Sequence, residues 1–371
     1  METDMSVMTR CEDFSDDLLV DTLSRLPVKS LLRFRCVCKS WYSLVKDPKF
    51  IYKHLNRDDN MRLMVRITYE KYDDMDPFND LITCFFLLPD KTLTNLHFQD
   101  LEPEMNDHNP LGPCDGIFCF FEDRNINLWN VSMNEYRVIP ECRPRLPSNT
   151  SIYCSNFGLG LHPMTNDFKL VLILTLYDGK RLSVHDFLPV GVYNFSTNSW
   201  RETEGLFQMG HYYESNSTDN VYLNGFCYWV AWAHNSYNAS ILSFSMSDEA
   251  FEEINGPNVT QITSDNQSEM SSWKIGIYDG CLSLLCSEEL GHSFGIWMMK
   301  AGFWTKHLSF GSFIETYQPL GFWRTGEFLL ESSDNRLVLY DSRYEEIRDI
   351  GIAGLWFSVN ILKESLIKIQ E

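Results

Sequence analysis

The sequence predicts a mainly β protein in which a small all-α unit at the N-terminus precedes a β-propeller. Apolar residues recur at helical spacing between residues 14 and 55. From about residue 110 onward, alternation with a period of two replaces that spacing, and Gly, Asn, Asp and Ser separate the strands. A pattern of strand, polar turn and strand then repeats at intervals of about 50 residues. These observations predict an N-terminal tail over residues 1–13, a helical unit over 14–55 and a propeller over 60–371.

The helical unit opens with a stretch that has both a start signal and a stop signal. Ser15 is predicted to cap the first helix, because its hydroxyl can accept a hydrogen bond from a free N–H of the first turn. Leu19, Leu23 and Leu26 follow at positions i, i+4 and i+7 and form one apolar stripe. Pro27 ends this helix, because it has no N–H to donate and its ring crowds the preceding turn.

Further short helices are predicted after Pro27. Ser30 is expected to cap the second, a third surrounds Trp41, and Asp47-Pro48 ends it before a fourth begins. A unit of about 45 residues rarely buries enough apolar surface to be stable alone. Its apolar residues also lie on more than one face, so one face can form the core of the unit while a second face needs a packing partner. That partner is either the β domain, in which case the unit is a helical cap, or another protein.

The residues of this unit carry a resemblance. The stretch "LLVDTLSRLPVKSLLRFRCVCKSWYSLVKDPKF" resembles an F-box, and more narrowly the plant form of it. The resemblance implies docking on the Skp-type adaptor of a cullin-scaffolded ubiquitin ligase. Apolar anchors pressed into a groove are typical of a stable interface. The residues expected to contact the adaptor are Leu18, Leu19, Leu23, Leu26, Pro27, Leu31, Leu32, Phe34, Val37 and Trp41. The cations expected on the rim, facing an acidic adaptor, are Lys29, Arg33, Arg35 and Lys39.

The repeat that follows the helical unit predicts the number of propeller blades. Its aromatic anchors are Trp129, Tyr193, Phe244, Trp297 and Tyr340, separated by 64, 51, 53 and 43 residues. A spacing of about 50 is typical of a four-stranded, kelch-like propeller blade. The count gives six blades, with a seventh left open, and the closing segment over residues 355–369 is expected to pair with the first blade. A β-sandwich is the alternative, which the repeat disfavours.

Several blocks of this region resemble the F-box-associated domain of plants. They include "GLGLHPMTNDFKLVLI", "GVYNFSTNSWRE" and "LVLYDSRYEEIRDIGI". Among such proteins the chain is most similar to the S-locus F-box and S-locus F-box-like group, through the helical unit and the ending "LKESLIKI". That resemblance implies a substrate receptor in pollen whose targets are basic S-ribonucleases. A receptor for an unrelated plant target, such as an immune or developmental regulator, stays open as an alternative.

Charge favours a basic partner for the propeller. The net charge of the chain is −20, from 31 Lys and Arg against 51 Asp and Glu. Residues 1–60 hold ten of each, so the whole excess lies in residues 61–371. Such a surface repels duplex nucleic acid and anionic membranes and attracts a basic protein. The plainer interpretation is that the acidity only aids solubility.

Irregular polar stretches are the expected carriers of substrate specificity, because loops are exposed and variable. They cover residues 69–80, 202–220, 255–270 and 287–293. The acidic residues proposed there for substrate contact are Asp73, Asp74, Asp76, Glu202, Glu204, Glu288 and Glu289. For any one of them, a solvated loop position without a contact is an equally good interpretation.

No catalytic constellation stands out, so the chain is predicted not to be an enzyme. It has no H-E-x-x-H, no G-x-S-x-G and no P-loop lysine motif, and no cofactor or metal site is expected. A propeller hydrolase or oxidase with a helical cap, and an interaction protein outside any ligase, stay as alternatives of other classes. Eleven cysteines without a C-x-x-C pair, an acidic start and no apolar run of about 18 residues predict reduced thiols in the cytoplasm or the nucleus.

Overall fold

A computed structural model of the chain describes residues 16–57, 60–71, 80–88, 93, 99–101, 111–122, 125–143, 151–177, 189–204, 211–212, 220–233, 239–257, 273–288 and 292–369. The described part begins with four helices. They are Asp16–Ser24 (α1), Val28–Phe34 (α2), Lys39–Lys46 (α3) and Pro48–Leu55 (α4). The predicted all-α start of a mainly β chain is therefore confirmed. These helices are called the helical unit below.

The caps of the helices follow from local residue chemistry. Pro27 is the N-terminal cap of α2, with φ −58° and ψ 147°, so the prediction that Ser30 caps this helix is wrong. The fixed φ of proline suits the entry to a helix, where no N–H partner is required. Asp47 caps α4 by accepting a hydrogen bond of 2.7 Å from the N–H of Lys49.

Within the described residues, antiparallel pairing sorts 25 strands into six sheets, the blades of the propeller. Blade I contains Met61–Lys71 (β1), Asp80–Leu88 (β2) and Gln99–Leu101 (β3). Blade II contains Leu111–Cys114 (β4), Ile117–Glu122 (β5), Asn125–Asn130 (β6) and Glu135–Ile139 (β7). Blade III contains Ser151–Leu161 (β8), Phe168–Tyr177 (β9), Pro189–Asn194 (β10) and Ser199–Glu204 (β11).

The second half of the ring repeats the same plan. Blade IV contains His211–Tyr212 (β12), Asn220–Leu223 (β13), Phe226–Ala233 (β14), Ala239–Ser245 (β15) and Phe251–Asn255 (β16). Blade V contains Trp273–Tyr278 (β17), Cys281–Glu288 (β18), Ser293–Lys300 (β19) and Phe303–Gly311 (β20). Blade VI contains Tyr317–Arg324 (β21), Glu327–Ser332 (β22), Arg336–Asp341 (β23) and Glu346–Ala353 (β24). In blade IV the two short strands β12 and β13 share the place of one inner strand, since both pair with β14.

The last strand closes the ring. Leu355–Lys363 (β25) pairs with β1, with Met61 opposite Lys363, and becomes the innermost strand of blade I. The prediction that the end of the chain seals the first blade is confirmed, but strand pairing stops at Lys363. Six blades form from the described residues, so the simple count was right and no seventh is formed there.

Apolar clusters fill the junctions between neighbouring blades, one at each of the six junctions in the described structure. The aromatic anchors of the sequence repeat explain why the blades could be counted. All of them lie on the third strand of a blade, namely Trp129, Tyr193, Phe244, Trp297 and Tyr340. Four of the five are at most 3% exposed, and Trp297 is half-buried.

Strand direction divides the connections between two faces of the ring. First-to-second and third-to-fourth strand connections open onto the face where the helical unit packs, which we call the near face. Second-to-third strand connections, and those that lead to the next blade, open onto the opposite face, which we call the far face. Most residues of the stretches predicted to carry specificity, over 69–80, 202–220, 255–270 and 287–293, lie outside the described residues.

Gly116 permits a close approach at the ring closure. It lies in the turn between β4 and β5 at φ +81°, and a Cβ there would lie 2.4 Å from the Lys363 carbonyl oxygen. Gly280 has a similar φ of +70° with nothing within 4 Å. We expect Gly280→Ala to cost about 1 kcal/mol through left-handed backbone strain. Gly116→Ala should cost about 2 kcal/mol more, because backbone must move. Denaturant midpoints measure both, and equal losses would contradict a tight contact at Lys363.

Candidate functional site

The helical unit has a compact apolar core. Leu23 and Leu31 are 3% and 0% exposed. Their buried partners are Val28, Val45, Phe50 and, from the far end of the chain, Leu366. Leu23 and Leu31 were both expected to contact an adaptor, but burial leaves them no surface to offer. They instead form the core on which the exposed residues of the helical unit pack.

The other residues predicted for adaptor docking keep accessible surface. Leu18 and Val37 are 52% and 62% exposed. Phe34 and Trp41 are half-buried and pack edge to face, with ring centroids 5.5 Å apart. The remaining accessible members are Leu19, Leu26, Pro27 and Leu32. We call these eight residues the docking residues.

Cations surround this part of the helical unit. Lys29, Arg33 and Lys39, predicted for the rim, are exposed, and Arg35 is half-buried. The guanidinium of Arg35 lies 5.5 Å from the centroid of the Tyr42 ring, and Lys46 Nζ lies 4.0 Å from it. Lys46 also donates a hydrogen bond to the Tyr42 hydroxyl, which holds the pKa of Tyr42 below its ordinary value. Residues 16–55 hold eight Lys and Arg against four Asp, so the helical unit has a net positive charge, in contrast with the acidic propeller.

The helical unit and the near face meet around the last described residues of the chain. A half-open cavity of about 300 Å³ remains at this junction. Its lining combines an apolar floor with three cations, contributed by Leu32, Arg35, Val45, Lys46, Ile51, Met133, Leu366 and Lys368.

Acidic residues outnumber basic ones in the propeller part of the chain. Residues 61–371 hold 41 acidic and 21 basic residues, so they carry the whole net charge of −20. In the described part of the far-face connections, Glu315 and Asp334 are exposed acidic side chains. The negative charge of the propeller would attract a basic partner.

The acidic residues proposed for substrate contact have different surroundings. Glu202, on β11, is exposed, and Glu204 ends the same strand at the far face. Glu288, on β18, forms an ion pair of 2.7 Å with Lys306 and is 17% exposed, so its charge is already matched. Asp73, Asp74, Asp76 and Glu289 lie outside the described residues.

The sequence interpretation missed an apolar element of the far face. Trp356 is 62% exposed at φ +52°, a left-handed conformation that is rare for a bulky side chain. Leu355 pairs with Thr68 and Ser358 with Arg66, so Trp356 and its neighbour form a β-bulge opposite one residue of β1. Bulges redirect side chains and are frequent beside functional sites. Ile314, just before the neighbouring inner strand β21, is 99% exposed. A positive φ at a Trp has no sequence signature.

Buried thiols in the propeller are poor nucleophiles. Burial raises the pKa of Cys119 and of Cys227, and it raises the pKa of Cys142 to about 11. They are therefore protonated at neutral pH, whereas the thiolate is the reactive form. Among the described residues, no three His, Cys, Asp or Glu side chains are placed to hold a metal ion. No helix in the described ranges is long and apolar enough to cross a membrane.

Comparison with known proteins adds family evidence to this geometry. A model of the F-box domain matches residues 11–53, and a model of the F-box associated beta propeller domain matches residues 90–369. F-box/kelch-repeat protein At3g23880 of Arabidopsis thaliana is 25% identical, over 82% of this chain and 81% of its own length. F-box protein CPR1 of Arabidopsis thaliana is 23% identical, over 96% of this chain and 84% of its own length. Because it covers 96% of this chain, the similarity to CPR1 spans the helical unit and the propeller together.

Proposed function

The chain belongs to the family of F-box proteins with an F-box associated β-propeller domain, and we propose that it is the substrate receptor of a cullin ubiquitin ligase. The observation that carries this proposal is the arrangement of two contrasting surfaces. Exposed apolar docking residues with a basic rim lie on the helical unit, on one side of the ring. The propeller carries the whole net negative charge of the chain, and its far face is open on the other side. A Skp-type adaptor and a substrate could therefore bind at the same time.

The proposed mechanism is proximity. The receptor makes and breaks no bond; it holds substrate lysines near an enzyme charged with ubiquitin and so raises their effective concentration. This role needs two binding surfaces at a defined separation and no catalytic group in the propeller. We place the complex in the cytoplasm or the nucleus.

For the substrate we propose a basic protein, and a stylar S-ribonuclease as the specific candidate. The net charge of −20 on residues 61–371 supports a basic partner. Trp356 would give this surface an aromatic anchor, since Trp residues often dominate binding energy and bind cations over their ring. A different plant target with a basic surface would use the same features.

A trap experiment tests the substrate. Removing the helical unit would expose Leu366, which packs into its core. The trap should therefore be the full chain carrying Leu18→Asp and Val37→Asp, which should block adaptor binding. We expect this chain to retain basic S-ribonucleases from pistil extract at physiological salt. Recovery of another protein, without a ribonuclease, would remove the S-ribonuclease assignment and leave the receptor role.

Charge reversal on the far face should weaken that capture. Glu315 and Asp334 are exposed residues of far-face connections. We expect Glu315→Lys with Asp334→Lys to reduce affinity for a basic partner by about tenfold, more at low salt than at high salt. Glu252→Lys with Glu253→Lys, on β16, makes the same charge change outside the far-face connections and should have little effect. Equal losses in the two pairs would indicate general attraction instead of a binding face.

A further inference from the structure

The chain does not end with the strand that closes the ring. Residues 364–369 continue across the near face from blade I to blade II, and we call them the C-terminal segment. Asn130, fully buried at the end of β6, donates to the carbonyl oxygens of Ser365 and Ile367 at 3.1 and 2.7 Å. The N–H of Ser365 donates to Ser132 Oγ at 3.0 Å. One side of the segment is thus fixed to the propeller by directional bonds.

The other side of the segment enters the helical unit. Leu366 is 4% exposed and belongs to the same cluster as Val28 and Leu31. Glu364 Oε2 accepts a hydrogen bond of 2.9 Å from the N–H of Val28, the first residue of α2. The opposite oxygen of Glu364 lies 3.5 Å from Arg62 Nε on β1. Glu364 therefore joins a helix and a strand through one partly buried carboxylate.

The link between α4 and β1 is tied to the same segment. The side-chain amide of Asn60, which is 6% exposed, donates to the His54 carbonyl oxygen at 3.1 Å and to the Glu364 carbonyl oxygen at 2.7 Å. His54 in turn bonds through Nε2 to the Leu26 carbonyl oxygen at 2.9 Å. The contact between the helical unit and the propeller thus involves residues of the helical unit, of the link between α4 and β1, and of the C-terminal segment.

We propose that the C-terminal segment is a positioning element that holds the helical unit in one orientation on the propeller. A helical unit of this size has a small core, and Leu366 supplies part of it from outside. The adjacent cavity shows that packing around Leu366 is already incomplete, so little neighbouring contact would replace it. The orientation therefore depends on Leu366 and Glu364 more than on the area of the junction. A fixed orientation of the helical unit would also fix the distance between the adaptor and the substrate during ubiquitin transfer. This consequence rests on the proposed function.

Hydrogen–deuterium exchange of the full chain tests the positioning element without any adaptor or substrate. We expect Leu366→Ala to speed exchange in α1 and α2 by about tenfold or more, with the central strands of blades III to V unchanged. Glu364→Ala should give a smaller change in the same helices. Lys368→Ala alters an exposed side chain of the same segment and should leave exchange as in the parent. Small-angle scattering should show a larger maximum dimension for Leu366→Ala, because the helical unit is no longer held.

Two results would overturn the proposal. In the first, helix exchange and dimensions stay unchanged in both Leu366→Ala and Glu364→Ala. In the second, the propeller strands exchange faster in step with the helices, which would make the segment part of the ring closure alone. If Leu366→Ala does not fold, Glu364→Ala decides by the same criteria. Loss of the ligase role would leave these measurements valid, because neither involves the adaptor.

Discussion

Substitution of Leu18 and Val37 by Asp is expected to weaken adaptor binding by about a hundredfold, or about 2.7 kcal/mol. Leu18 and Val37 are more than half exposed in the free chain, so the substitution removes little packing within the helical unit. In a complex, each new carboxylate would lose its water in an apolar contact without a counter-ion, which is costly. Titration calorimetry with a purified Skp-type adaptor measures the loss. The melting temperature should stay within about 2 °C, as for most exposed substitutions.

The choice of exposed residues matters, because substitution of a buried residue of the helical unit would change folding as well as binding. Leu31→Ala would open a cavity in the core of the helical unit and cost about 3 kcal/mol of stability. A loss of adaptor binding there would say nothing about the surface. Tyr52 on α4 is 52% exposed and is not a docking residue, so Tyr52→Asp is a matched control that should retain binding. Unchanged affinity in the Leu18 and Val37 variant would show that these two residues do not contact the adaptor. A parent chain that does not bind the adaptor would favour an interaction protein outside any ligase.

The repeat could be recognised in the sequence because its signal is local. Each anchor, such as Tyr193 or Phe244, is followed within a few residues by a polar turn and the start of the fourth strand. The packing of a blade requires this order, so the pattern survives in residues that are neighbours in the chain. The same reasoning explains the helical unit, where Pro27 and Asp47 act on the turns beside them.

Contacts between distant parts of the chain leave no such pattern. The closing segment over residues 355–369 is expected from the sequence to pair with the first blade, but β25 ends at Lys363. Leu366 instead packs beside Leu31, more than 300 positions earlier. Glu288 fails as a free acidic contact for the same reason, since Lys306 lies on another strand of blade V. The sequence identifies acidic residues but not the partners that neutralise them.

A buried ion pair between blades III and IV is expected to contribute strongly to the stability of the propeller. Lys169 on β9 has a side chain only 8% exposed, and its Nζ donates to Glu249 Oε1 and to the Met246 carbonyl oxygen, both at 2.8 Å. Glu249 lies between β15 and β16 and also accepts from Arg201. Glu249→Gln leaves the buried ammonium without its carboxylate. We expect a loss of about 3 kcal/mol, because an uncompensated buried charge is strongly destabilising. Urea unfolding at pH 7 measures it.

The loss of stability caused by Glu249→Gln should depend on pH, because Lys169 can lose its charge. Burial, with help from Arg201, holds the pKa of Lys169 below its ordinary value, so the folded chain binds this proton less tightly than the unfolded chain does. The cost of burying the charge is complete below the folded pKa and falls as the pH rises through it. The deficit of Glu249→Gln against the parent should therefore shrink as the pH rises from 7 toward the ordinary lysine pKa of 10.5, because Lys169 loses its proton more readily in the folded state. Arg201→Gln removes the partner that is 61% exposed and should cost less than about 1 kcal/mol. A deficit that is constant over this range, or equal losses in the two variants, would show that Lys169 is not a buried charge held by Glu249.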